Sequence, residues 1–226
     1  MRNPGDTDLE HSIEKYWKMR LEKCRHALEK NNFQVFLADN AVDARDIVLN
    51  EILPEISVKS VSWGDSLTLH ATGILEDMRQ DSDIEMIETF AENVSREEII
   101  DRRRQALLVD LFFAGSNAVT ETGKLVNLDM IGNRVGAITF GPKNVILFIG
   151  RNKIVADLQD AMDRIRNYAA PLNAIRHSTF RTPCRETSKC MDCQSPDRIC
   201  NTWTITEKSF PKGRIKVVLI NDDIGL

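Results

Sequence analysis

Apolar side chains at Ile13, Trp17, Leu21, Cys24 and Leu28 recur at spacings of four, four, three and four, which lines one face of a long helix. Phe33–Ala38 then predicts a short strand, residues 42–53 a helix closed by Pro54, and Val58–Trp63 a strand that stops at Gly64. A helix follows through Leu75 to Met78, and Ile84–Ile87 is another short apolar run. Ser95-Arg96-Glu97-Glu98 has the form of a capping box, opening a helix that carries Ile99, Ile100 and Leu107. Leu108–Ala114 and Asn144–Ile149 are near-continuous apolar runs, the pattern of strands buried on both faces.

From Gly123 to Gly150 the pattern shortens. Lys124–Asn127, Arg134–Phe140 and Asn144–Ile149 read as β segments separated by Gly, Asn and Pro, too close together for helices and fitting a small antiparallel addition. Ile154, Val155, Leu158, Ala161, Met162 and Ile165 predict an amphipathic helix ending before Pro171, and Ile215–Ile220 a last, fully apolar strand. Strands alternating with helices predict an α/β protein with a three-layer, mostly parallel open sheet. Residues 1–226 are expected to form one domain, with a cysteine-rich segment, 180–203, packed on it.

Composition narrows the function classes. A net charge of −4 provides no electrostatic footprint for nucleic acid or an anionic membrane, so neither is expected as a partner. Arg102-Arg103-Arg104 reads as a solvated helix face beside Glu97, Glu98 and Asp101. No window approaches the roughly 18 apolar residues of a membrane span. The opening MRNPGDTDLEHSIEKYW lacks an apolar signal region, which predicts a cytoplasmic protein whose five cysteines are thiols or metal ligands rather than disulfides. Cys24, at core spacing on the first helix, is expected to be a buried apolar residue.

Candidate chemistry gathers where strands end. Trp63-Gly64-Asp65-Ser66-Leu67-Thr68 leads a strand through a glycine into a helix, offering backbone amides and hydroxyls to an anion, or simply a capped turn. The stretch Val109–Lys153 places Ser116, Asn117, Thr120, Glu121, Thr122, Gly123, Asn127, Asp129, Gly132, Asn133 and Arg134 between two strands that end in glycine, at Gly115 and Gly150. In open α/β sheets ligands settle at carboxyl ends of strands. Gly64, Asp65, Ser66, Thr68, Gly115, Asn117, Thr120, Thr122, Gly123, Asn133 and Arg134 are therefore the candidate ligand residues for a small anionic metabolite. Arg134 offers a planar fork for carboxylate or phosphate, or a salt bridge to Asp129. Lys143 and Lys153 either add charge near Arg134 or are, as single strand-end lysines usually are, simply solvated. Glu121 is the only acid between Asp110 and Asp129, and is either a catalytic carboxylate with its pKa raised toward neutrality or a loop-holding acceptor.

Four of the five cysteines fall at Cys184-x5-Cys190-x2-Cys193-x6-Cys200. A segment so poor in apolar residues is naturally stapled by a metal, and four thiolates suit zinc or an iron–sulfur cluster; reduced or redox-switching thiols are the alternative. His177 lies seven residues upstream and reads as incidental to that set. No GxGxxG is present, so a nicotinamide or flavin fingerprint is missing.

The ordered strings AGSNAVTETGKLVN, GNRV and GPKNVILFIGRNKIV, with WGDSLT upstream, resemble the LUD (lactate utilisation) domain family of bacterial proteins. The resemblance implies a fold like that of ribose-phosphate isomerases, glucosamine-phosphate deaminases and CoA transferases. It implies a subunit or accessory of 2-hydroxy acid oxidation, working with partner redox subunits; a homo-oligomer is left open. Two alternatives stand beside it. One is a non-redox isomerase or acyl transferase on a phosphorylated or CoA-linked metabolite, with Glu121 as base or nucleophile. The other is a ligand-sensing module without catalysis.

Overall fold

The structure, a computed structural model, describes residues 4–226, with side chains described from residue 8 onward, so the first three residues of the opening segment lie outside it. Helix α1 (Pro4–Lys30) leads into strand β1 (Gln34–Ala38) and helix α2 (Ala41–Ile47), which continues as a wider turn over Val48–Ile52 and a tight one over Leu53–Glu55. Strand β2 (Ser60–Trp63) is followed by α3 (Leu67–Thr72), α4 (Ile74–Gln80) and β3 (Glu85–Met86). The single helix expected up to Met78 is split at Gly73, whose φ of +76° ends α3 in the left-handed region. Ser95 caps α5 (Arg96–Gln105), its hydroxyl accepting from Glu98 N at 3.1 Å as the capping box predicts.

Strands β4 (Leu111–Gly115), β7 (Asn144–Gly150) and β10 (Ile215–Ile220) complete a six-stranded parallel sheet ordered β1-β10-β7-β4-β2-β3. Its central strands are almost wholly apolar because both faces are covered, the exceptions being Asn144 and Lys216, which bond each other near the strand starts. Alternate side chains feed opposite cores. Phe112, Ala114, Val145, Leu147, Val217 and Leu219 pack with Leu21, Cys24 and Leu28 of α1. Phe113, Ile146, Phe148, Val218 and Ile220 pack with Ala44, Leu69, Leu75 and Met78 of α2, α3 and α4. Cys24 is fully buried, and burial together with the nearby Glu121 charge pushes its thiol pKa up to about 12.

Strands β5 (Ala118–Thr120), β6 (Leu125–Asp129), β8 (Ile154–Val155) and β9 (Thr202–Thr206) form a second sheet ordered β8-β5-β6-β9. It is mixed rather than purely antiparallel, since β5 pairs in parallel with β8. Two expectations fail here. Arg134–Phe140 is not a strand but helix α6 (Asn133–Thr139), begun by Gly132 at φ +90° and by the Asp129 carboxylate, which accepts from the backbone N–H groups of Arg134 and Val135, both at 3.1 Å. The helix expected from Ile154 begins instead at α7 (Leu158–Arg164), and it passes through a wide turn over Ile165–Ala169 into α8 (Ala170–Arg176), so Pro171 sits inside a first turn, where a missing N–H costs nothing.

The chain order of the main sheet positions the site. From β2 the chain moves outward to β3; from β4 it moves the other way, to β7 and then β10. The adjacent strands β2 and β4 thus send their following segments in opposite directions, which opens a crevice at their carboxyl ends. Among the described residues no helix is long and apolar enough to cross a membrane.

Candidate functional site

A cavity of about 270 Å³ opens at that switch point. Asp65 and Ser66 enter it from the end of β2, Gly115 to Asn117 from β4, Lys153 from the turn after β7, Asn133 and Arg134 from α6, and Arg103 from α5. Two glycines let these segments close on one another. A Cβ on Gly64 would stand 2.8 Å from Arg134 Cγ, and one on Gly115 would collide with Ser66 Oγ.

Arg134 is almost fully buried, and every Nη hydrogen is spent on a neutral oxygen. Nη1 donates to Gly115 O (3.1 Å) and Asn127 Oδ1 (2.7 Å), and Nη2 to Asn117 Oδ1 (2.9 Å) and Leu128 O (3.0 Å). Neither sequence alternative for this residue is realised. Its Nη fork is not free for an anion, and Asp129 takes backbone amides instead of the guanidinium. Arg134 instead ties the β2, β4 and β6 ends together while leaving a positive charge beneath the cavity, a charge an arginine retains even when burial lowers its pKa.

Lys153 corrects the expectation of a solvated strand-end lysine. Its side chain is buried, with 4% relative exposure, and Nζ donates to Thr68 Oγ1 at 2.7 Å. Thr68 Oγ1 donates onward to Ile224 O at 3.2 Å, which turns an oxygen lone pair toward the amine. No ion pair among the described residues includes Lys153. Burial first, then the charges of Arg164 and Arg134, brings its pKa down from 10.5 to about 7.

Arg103 also departs from its expected role on a solvated face. It lines the cavity with its guanidinium 5.3 Å from the centre of the Phe90 ring, its buried Nε has no hydrogen-bond partner, and burial lowers its pKa. Sequence spacing gave no separate signal for Arg103, since a triple-arginine run does not reveal which member turns inward. The remaining charges are self-contained. Asp65 accepts from Arg176 Nη2 at 2.8 Å and lies 3.6 Å from His70. His177, set aside in the sequence, lines this cavity rather than joining the cysteines. Ser66 caps α3 by accepting from Leu69 N at 3.3 Å while also facing the cavity.

Glu121, Thr120, Thr122 and Gly123 are not brought to the cavity. They form the β5–β6 turn docked on α1. Asn31 Nδ2 donates to the carbonyls of Thr122 and Gly123 at 3.1 and 2.9 Å, and Gly123, at φ +79°, comes so close to Ala27 that a Cβ there would meet its backbone at 2.6 Å. Glu121 pairs with Lys23 at 2.6 Å and Arg20 at 2.9 Å. The Lys23 hydrogen bond leads in holding its carboxyl below the usual glutamate range, opposite to the expected rise toward neutrality. Its carboxylate accepts from side chains of α1 rather than from loop amides.

A family model described as the LUD domain matches residues 21–220, a span that takes in both sheets, the cavity and the cysteine-rich loop. The chain belongs to the LUD domain family. A crystal structure of a DUF162 family protein from Deinococcus radiodurans is similar to this LUD domain at 13% identity, with a TM-score of 0.47, covering 91% of this chain and 98% of that one. A search of the curated proteins finds no match.

On this LUD domain the cysteine-rich loop follows α8 and includes the short helix α9 (Cys184–Thr187). Cys184, Cys190, Cys193 and Cys200 all line one small cavity of about 30 Å³, with Arg166 and Arg198 beside them. Asp192, at φ +45°, turns the chain between Cys190 and Cys193. Arg198 braces the loop by donating to Cys200 O at 2.9 Å and Cys193 O at 2.6 Å. Burial first, then the neighbouring thiols, pushes the Cys200 pKa up to about 11. Among the described residues no group of three or more His, Cys, Asp or Glu side chains is disposed to hold a metal ion. The four cysteines share one cavity, but the metal-ligand set expected of them is not preformed among the described residues.

Proposed function

We propose that this LUD domain binds a small 2-hydroxy or 2-oxo acid in the cavity at the β2–β4 switch point and serves 2-hydroxy acid oxidation as a binding subunit. The observation that carries the reading is the pair Lys153 and Arg103. Both line one cavity, neither takes part in an ion pair among the described residues, and Arg103 keeps a buried donor without a partner. Arg103 is half-buried and Lys153 buried, and a ligand carboxylate would give both a charged partner on the cavity side. A cavity of about 270 Å³ sits at the lower edge of the usual range for ligand pockets, roughly 300–1,000 Å³, which favours a compact metabolite over a CoA thioester. The isomerase and acyl-transfer alternatives relied on Glu121, which is engaged by Arg20 and Lys23 away from this cavity.

Calorimetric titration of lactate and pyruvate into the protein tests the reading. Both are expected to bind at one site per chain, and a Lys153→Met variant is expected to lose most of the affinity. No heat of binding from either acid would refute it.

Electron transfer would then fall to partner redox subunits or to the cysteine loop. A zinc ion or an iron–sulfur cluster on Cys184, Cys190, Cys193 and Cys200 is part of the proposal, supported by the convergence of the four thiols on one cavity. It requires the loop to contract and the thiols to lose their protons as the metal enters.

A further inference from the structure

We infer that Lys153 is a covalent site: its amine forms a reversible imine with the carbonyl carbon of a small 2-oxo acid held in the cavity. The inference rests on the proposed 2-oxo acid reading and specifies the chemistry of that same site.

Three features of the surroundings point to it. First, Lys153 lines the cavity with a side chain that is otherwise buried. Second, its protein partner is a hydroxyl rather than a carboxylate, so nothing in contact with it fixes the charged form. Thr68 Oγ1 gives its own proton to Ile224 O and accepts from the amine, which orients Nζ without consuming its lone pair. Third, burial first and then the charges of Arg164 and Arg134 disfavour an ammonium and favour a neutral, nucleophilic amine near neutral pH, while Asp65 and Asp129, the carboxylates on the same cavity, are engaged by Arg176 and by backbone amides. Close packing holds the group in place, since a Cβ on Gly225 would stand 3.1 Å from Nζ.

The chemistry balances without an outside reagent. Nζ adds to the carbonyl carbon, the carbonyl π pair becomes an alkoxide that takes the proton the nitrogen gives up, and the carbinolamine hydroxyl, protonated from solvent, leaves as water while the nitrogen lone pair forms the C=N bond of an iminium. No electrons are lost or gained. The ligand carboxylate would face Arg103 on the same cavity. A 2-hydroxy acid has no carbonyl and can only bind noncovalently.

Incubation of the wild-type protein with pyruvate and cyanoborohydride at pH 7, followed by peptide mapping, tests the assignment. Hydride delivered to the iminium carbon makes the adduct permanent. The expected result is a single adduct on the Lys153 peptide, at least about tenfold above any exposed lysine, because exposed lysines remain protonated at this pH. Lactate is expected to produce no adduct and to suppress the one formed with pyruvate. Calorimetric binding of pyruvate without labelling at Lys153 would overturn the imine while leaving the binding reading standing. Neither binding nor labelling would overturn both.

Discussion

Lys153 shows how far a single residue's role depends on its surroundings. In the sequence it is one lysine after a strand; in the fold it is buried beside Thr68 with Arg134 and Arg164 nearby. Its stability signature follows from its lowered pKa. Unfolded, the side chain keeps its proton to about 10.5; folded, it releases it near 7. Between those values unfolding takes up a proton, so this group makes the folded state gain stability as pH rises from 7 toward 10, while below 7 the burial penalty is constant. Thermal unfolding of wild type and Lys153→Met across pH 6–10 should show the wild type improving relative to the variant over that window. A parallel pair of curves would mean that Lys153 titrates at its ordinary value.

At the scale of elements, the strands of the main sheet were legible because burial on both faces leaves continuous apolar runs, as in Val145–Ile149 and Val217–Ile220. Helix α6 was not legible. Val135, Ile138 and Thr139 are β-branched, and the signals that make the segment helical are the Asp129 carboxylate donated by the neighbouring strand and the left-handed Gly132. The same limit governed Glu121, whose partners Arg20 and Lys23 lie about a hundred residues away on α1. The switch-point loops were found because Gly64 and Gly115 mark strand ends, whereas which charged groups face the cavity depended on packing that spacing does not encode. Glu121→Ala should cost about 1 kcal/mol in urea unfolding, the scale of a partly exposed ion pair. Because the Glu121 carboxyl pKa is lowered, that contribution is present at neutral pH and disappears as pH falls through its folded value. Binding of pyruvate should be unchanged in this variant; a large loss of affinity would return Glu121 to the site.

At the scale of the whole molecule the two cavities are neighbours. The cavity at the β2–β4 switch point is lined by Lys153 and Arg103, and α8 links it to the loop that carries four cysteines, with Ala170 and Ile199 lining both cavities. Metal analysis after anaerobic purification is expected to find zinc or iron bound to the loop, and Cys190→Ser with Cys193→Ser to abolish it. Metal-free protein with four titratable thiols in that loop would leave them as reduced or redox-switching cysteines.

The central claim is that the cavity takes a small carboxylate beside Lys153, and its most direct test is titration calorimetry of lactate at pH 7.5 in buffers of differing ionisation enthalpy. A carboxylate placed against an amine whose pKa is near 7 raises that pKa, so binding should draw protons from the buffer. The account predicts one site per chain with net proton uptake that vanishes in Lys153→Met. Absence of binding, or binding with no proton uptake in the wild type, would contradict it.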